Sequence, residues 1–458
     1  MNSLFVLDKF TPWVFLTDFG LIFTLILIGK FIRVHVKFFQ QLFIPPSLIA
    51  GILGLTFGPH GLGWLPFSSN LSSYAAVLIA LVFSTLPFTS EKSSFKKIAK
   101  RVGPMWIYAQ VGMLLQWGIM GLLGIYLFRL VWPNLNSAFG IMLPTGFYGG
   151  HGTAAAIGEA FDRLKWEEAM TLGMTVATVG VIVAIVGGLF IIKWATKKGY
   201  TKYITDFKEL PSELRTGLLP ENKRDIIGMS TTSSISLESI TLHFAIVFFV
   251  AFIGYVLSLS VKELFTTFSP PYNGIELPVF SCAFVVGITV KKIFDKTKVS
   301  NYVCNKTIQR EGSFFTDLLV TCGIASIKLE VVAEYWLPLL FLILIGIVVV
   351  FIISFYLGRR LAPNNWFERS IFAWGWWTGT IAMGIALERV VDPESKSKAM
   401  DDYAMAYLPI APVEILLITF VPISFIAGWS SILMWCCIAL SIVLLIIARL
   451  AKWYKKGG

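Results

Sequence analysis

Residues Gly146–Gly158 read GFYGGHGTAAAIG and lie between two long apolar runs. A run of glycines makes a poor membrane-spanning helix, because it strips away side chains and frees backbone N–H and C=O groups. In hydrocarbon each such group is costly unless protein, water or a ligand satisfies it. A break at GGHGT is therefore expected where the freed groups meet a ligand. Close helix packing through small residues is the other reading, and it suits AAAIG alone.

The surrounding chain sets the context. Of its 458 residues 56% are hydrophobic and 14% charged, which excludes an ordinary soluble domain and indicates an all-α polytopic membrane protein. The net charge of +11 does not imply a nucleic-acid partner if the cations sit in short loops, where they report orientation in the lipid bilayer. Four cysteines (Cys282, Cys322, Cys436 and Cys437) fall in apolar runs and Cys304 in a loop. No CxxC spacing occurs, so neither a disulfide frame nor a zinc site is expected. The N-terminus lacks a basic, cleavable leader, so the first apolar run is expected to remain as a helix.

Hydropathy places spans near 13–32, 44–62, 71–89, 104–130 and 170–192, then near 239–260, 275–292, 313–332, 336–358, 403–427 and 431–450. Two segments rich in small residues, about 140–161 and 371–390, suit re-entrant hairpins better than single spans. With the C-terminus cytoplasmic and the N-terminus outside, only Lys9, Arg129, Arg163, Lys165, Lys262 and Lys328 among the basic residues face out, as the positive-inside bias requires.

The plan is doubled. Residues 1–192 form one half, 193–238 a hydrophilic cytoplasmic linker, and 239–430 a second half with the same order of spans and hairpin. Five spans per half invert the second relative to the first. Residues 431–458 add an eleventh helix and a cytoplasmic tail without a counterpart. The expected fold is thus an inverted-topology repeat with about 11 transmembrane helices and two re-entrant hairpins. Inverted repeats with interrupted helices mark secondary transporters, whose sites lie at the repeat interface.

The candidate binding residues follow from the hairpins: Gly149, Gly150, His151, Gly152 and Thr153 in the first, Gly379 and Thr380 in the second. Half-helix N-termini suit a substrate carboxylate, and the two threonine hydroxyls suit a hard cation such as sodium. Side chains at Gly150 and Gly152 are expected to block the ligand. His151 has two readings, a donor or proton shuttle for the substrate, or a neutral ring pinning the hairpin. Glu414 and Asp317 are intramembrane acids and candidates for ion coupling, together with the threonines. Gln116 is a candidate for lining the path, as are Trp376 and Trp377. Glu159 and Glu388 end their hairpins near Arg163 and Arg389, where interfacial salt bridges are expected.

GGHGT at Gly149–Thr153 resembles the signature of the bacterial sodium/glutamate symporters. IPPSLIAGILGL (through Ile44, Pro45, Ala50, Gly51 and Leu53) and ELPVFSCAFVVGI (through Glu276, Leu277, Pro278, Phe280 and Gly287) resemble the same family, and Gln116 falls where it also places a glutamine. The resemblance implies a homodimer in a bacterial inner membrane, with sodium as coupling ion, no other cofactor, and glutamate or a similar small anionic substrate moved by an elevator-like mechanism. It weakens at GWWTGTIAMGIALERV, which keeps Gly375, Gly379 and Thr380 but places Trp376 and Trp377 before the tip. A dicarboxylate or hydroxycarboxylate symporter of the same architecture, or a proton-coupled carrier, remains the alternative. An enzyme is not expected, since neither clustered metal ligands nor an activated nucleophile occurs. A channel needs a ring of identical elements or a repeated filter, which the inverted hairpins fit less well, and no nucleotide-binding P-loop occurs in the sequence.

Overall fold

Thr11 and Pro12 start the first helix as helix-initiating residues should: the threonine side chain accepts from the Val14 amide at 3.3 Å, and proline takes the first turn. This helix, α1 (Pro12–His35), is followed by α2 (Pro46–Phe57), α3 (Leu71–Thr89) and α4 (Phe95–Leu122). The computed structural model describes residues 10–42, 44–89, 95–162, 164–203, 216–224, 226–268, 277–361, 365–392 and 396–454. Lys9, Arg163 and Glu276 lie outside them.

After α4 come two short arms, α5 (Met142–Gly146) and α6 (Gly150–Asp162), then α7 (Glu168–Lys197). The second half supplies α8 (Ser239–Phe268), α9 (Val279–Thr297), α10 (Asn305–Ala325) and α11 (Trp336–Ile352). Two more arms follow, α12 (Trp366–Thr378) and α13 (Ile381–Val391), then α14 (Ala399–Ile426) and α15 (Ser430–Leu450). All the described regular elements are helical.

Among the described residues, eight helices are long and apolar enough to cross a bilayer, which makes this a multi-pass membrane protein. Three further expected spans are also helical but shorter or more polar. The one expected near 44–62 is the 12-residue α2, which stops where Gly58 and Pro59 cannot continue it. The one expected near 313–332 begins earlier, at Asn305, and α10 ends at Ala325. α9 carries Lys291, Lys292 and Asp295 in its last turns.

The helices sort into two groups. In the first, α3 packs on α9 and α10, and α2 on α1 and α10, with α8 against α9. In the second, α4 packs on α14 and α15, and α7 on both arms of each short-helix pair. α6 touches α3 and α10, and so joins the groups. Within the first group Asp18 is fully buried, accepting from the Ser68 amide and hydroxyl at 2.9 and 2.5 Å and from the Tyr74 hydroxyl at 3.0 Å. Three donors satisfy it, so this intramembrane acid is a clamp.

The helices before the two short-helix pairs share one irregularity. α4 runs into a π-helical turn at Leu123–Phe128, and α11 into one at Ile353–Leu357. Such a turn shifts the hydrogen-bond ladder by one residue and leaves a carbonyl for other donors. Tyr108 takes the one at Ser354, donating its hydroxyl at 2.6 Å.

The linker touches both groups. The Lys202 amide donates to Glu368 at 2.9 Å and the Tyr203 hydroxyl to Asn365 at 3.0 Å, at the start of α12. At the other end, Lys30 of α1 donates to the Gly217 carbonyl at 2.8 Å.

Candidate functional site

The chain turns back on itself twice within the second group. α5 ends at Gly146, Phe147–Gly149 form a tip, and Gly150 opens α6 with φ +64°. That left-handed torsion suits glycine and costs another residue strain. In the other pair α12 ends at Thr378, and Thr380 caps α13 by accepting from the Met383 amide at 3.4 Å.

The two tips meet. A Cβ on Gly150 would stand 3.3 Å from the Gly379 carbonyl oxygen and 3.6 Å from Thr380 Cγ2. The N-termini of α6 and α13 thus start from one point, each carrying amides with no partner one turn back. Glycines matter differently along the first tip. A Cβ on Gly149 would collide with the Thr153 side chain, which folds back over the tip. Gly152, expected to be as intolerant as Gly150, has a negative φ and would meet only Ile79 Cδ1 at 3.4 Å, an ordinary contact. Its lack of a side chain is not a steric requirement here.

α7 is the shelf on which both tips rest. A Cβ on Gly146 would lie 2.5 Å from the Ala177 amide nitrogen. One on Gly180 would clash with the Thr378 carbonyl, and one on Gly379 would lie 2.9 Å from Ala184 Cβ. Trp374 Nε1 donates to the Ala184 carbonyl at 3.1 Å. His151 is buried and its Nε2 lies 3.2 Å from Thr178 Oγ1. Thr178 gives its own proton to the Met174 carbonyl at 2.8 Å, so the ring is the donor in that pair. This contact favours the pinning role for His151.

Around the tips stands an aromatic cage centred on Trp376. Its ring centroid lies 5.1 Å from Tyr148 of the first tip, 4.5 Å from Tyr403 and 6.1 Å from Tyr407 of α14. Glu414, half-buried on α14, accepts from the Tyr407 hydroxyl at 2.9 Å and so joins the cage. Pro409 and Pro412 interrupt α14 beside it, withdrawing the i+4 donors of the Met405 and Leu408 carbonyls. Trp377 is fully buried against α4: its ring is 4.9 Å from Tyr108 and fills the space that Gly112 leaves open. Gln116 lies one turn beyond Gly112 on that same face of α4.

Several buried polar atoms here have no protein partner: both amide atoms of Gln116, Thr145 Oγ1, the Tyr148 and Tyr403 hydroxyls, and Trp377 Nε1. Leaving one such group unsatisfied costs about 1–3 kcal/mol. Those on and beside the tips suit a polar occupant.

Asp317 joins none of these contacts. It sits exposed on α10 in the other helix group, near Ser47. Glu388 is fully buried and accepts from the Ser397 hydroxyl at 3.0 Å; of the expected interfacial salt bridge with Arg389, a charge interaction is present beside that hydrogen bond. Arg369 makes the ion pair that fixes this pair of arms to α14, reaching Asp402 at 2.6 Å. Glu159 lines a second cavity of about 230 Å³ beside α6, with Asp162, Glu167 and Lys328.

Sequence reasoning missed Thr178, Gly180 and Ala184 on α7, and Tyr403 and Tyr407 on α14. A stripe of small residues at Gly173, Ala177, Gly180, Ala184 and Gly188 was the legible sign of the shelf. The tyrosine pair four residues apart and seven before Glu414 was the sign of the cage.

Two comparisons bear on this arrangement. A sequence model of the family described as sodium/glutamate symporter matches residues 15–377, ending just before the second tip. No curated protein matches the chain.

Proposed function

Because the chain belongs to the sodium/glutamate symporter family, we propose that it takes up glutamate or a similar small carboxylate with sodium, by alternating access to the meeting point of the two tips. The observation that carries this reading is the close approach of Gly150 to Gly379 and Thr380, with unpartnered buried polar atoms on Thr145, Tyr148 and Tyr403 of the neighbouring elements. In this reading the convergent N-termini of α6 and α13 bind the substrate carboxylates. Tyr148 supplies a neutral donor from the surrounding cage, and Gln116 and Trp377 offer neutral donors from the α4 side. Glu414, the Thr153 and Thr380 hydroxyls and the proline-freed carbonyls of α14 offer the oxygen ligands sodium prefers.

The chain halves are read as inverted repeats, with the two short-helix pairs as re-entrant hairpins entering from opposite faces. The paired π-helical turns before them support that reading. The second helix group, which holds both tips, is read as the moving domain, and the first group as the fixed one of a homodimer in a bacterial inner membrane. The N-terminus is assigned outside and the C-terminus to the cytoplasm by the distribution of basic residues.

The test is uptake of labelled glutamate by purified protein in liposomes. Accumulation with an inward sodium gradient, abolished when choline replaces sodium, is expected. Uptake indifferent to that exchange would overturn sodium coupling.

A further inference from the structure

The side of the second tip away from the cage opens into a cavity of about 380 Å³, within the range of small-molecule sites. It lies between α1, the start of α2, the middle of the linker at Thr216–Gly217, and α13. Its charged lining is Lys30, Arg33 and Arg389, and no acidic residue lines it among the described residues. The place is built. Lys30 and Arg33 stand one turn apart on α1, the first held by the Gly217 carbonyl at 2.8 Å and the second donating to the Ile44 carbonyl. These two carbonyls contribute no negative charge. Glu388, beside Arg389 in the chain, accepts from Ser397 and also feels the Arg389 charge.

The cavity also reaches the tip. Met383 lines it and donates its amide to Thr380 Oγ1, while Arg389 lies six residues further along α13, a rise of about 9 Å. The cavity beside α6 carries Glu159, Asp162 and Glu167, so a cationic lining is not a general property of these arms.

We propose that Lys30, Arg33 and Arg389 form an anion waypoint, which receives the carboxylate of the transported substrate between the tips and the cytoplasm. The proposal rests on the anionic-substrate reading above. Lys30 and Arg33 belong to the first helix group and Arg389 to the second, so an occupied waypoint also bridges the two groups. A phosphate-bearing lipid headgroup shares the required chemistry, and the experiment separates the two sources.

Ala386→Cys, in a full-length chain whose five native cysteines are replaced, puts a thiol in the cavity wall, and Ile385→Cys serves as a second reporter. Reaction rates are compared for an anionic and a cationic methanethiosulfonate reagent, in neutral detergent. The expected result is a preference of about tenfold or more for the anionic reagent, the range by which charged clefts concentrate counter-ions. Adding Lys30→Gln with Arg389→Gln should remove the preference, and millimolar glutamate should slow the anionic reagent. Equal rates, or a preference that survives the double neutralisation, overturn the proposal. Protection by short-chain phosphatidylglycerol but not by glutamate assigns the cavity to a lipid headgroup and overturns it as well. These rates need no transport, so a chain that failed to carry glutamate into liposomes would fail the functional reading alone.

Discussion

Gly150 and Gly379 stand so close that a Cβ added to the first would lie 3.3 Å from the carbonyl oxygen of the second. The two tips are therefore one structure, and a side chain at Gly150 acts on both. Gly150 also has φ +64°, which costs an L-residue roughly 1–2 kcal/mol. Gly150→Ala is expected to lower the initial rate of uptake about tenfold or more at equal surface expression. Gly152→Ala, which meets only Ile79 at 3.4 Å, should keep most of the rate. Equal losses in both variants would return the whole stretch to helix packing.

Trp377 and Gly112 form a knob and its slot. A Cβ on Gly112 would come within 2.5 Å of the indole. Gly112→Ala should lower stability in detergent by about 1–3 kcal/mol, read from the thermal midpoint. Trp377→Phe in the same chain should recover part of that loss. Strictly additive effects would show that the two positions do not share the space.

Glu414 and Tyr407 test the ion. Glu414→Gln keeps an acceptor for the Tyr407 hydroxyl but removes the charge, so the sodium concentration for half-maximal uptake should rise about tenfold, equivalent to about 1.4 kcal/mol. Tyr407→Phe removes only the hydrogen bond, and its shift should be smaller. Asp317→Asn, at Ser47 in the other helix group, should leave the sodium curve where it was. A sodium curve moved by Asp317→Asn and not by Glu414→Gln would reverse the assignment.

His151 and Thr178 act as one unit if the ring pins the first tip to α7. His151→Ala and Thr178→Val should then each slow uptake, and the double variant should be no worse than the stronger single one. A fully additive double variant would give the histidine a separate role at the substrate.

Much of this was legible in the sequence. Hydropathy placed the long helices because lipid demands apolar length, and the two interrupted segments stood out because glycine and threonine are wrong for a span. The contact of GGHGT with Gly379–Thr380 was implicit in their matching composition. Other features depend on which helix faces which. Asp18 and Asp317 look alike in sequence, yet one is a three-donor clamp and the other lies exposed on α10. Gly150 and Gly152 differ only in a torsion angle that composition does not carry. Trp376 and Trp377 are adjacent, but successive helical positions point about 100° apart, so one centres the cage and the other fills a slot on α4.

Each helix group draws on both halves of the chain: α3 needs α9 and α10, and α4 and α7 need α14 and the α12–α13 pair. The burden falls on biosynthesis. α3 ends at Thr89, while its neighbour α10 is complete only at Ala325, so at ~5–20 residues per second it waits roughly 10–50 s for that surface to be covered. The first group closes when the ribosome passes Ala325; the second, which holds the tips, must wait until α15 is finished at Leu450. During translation the early helices therefore sit in the membrane with their inner faces open, and sheltering them is work for the insertion machinery before any tip can meet its counterpart.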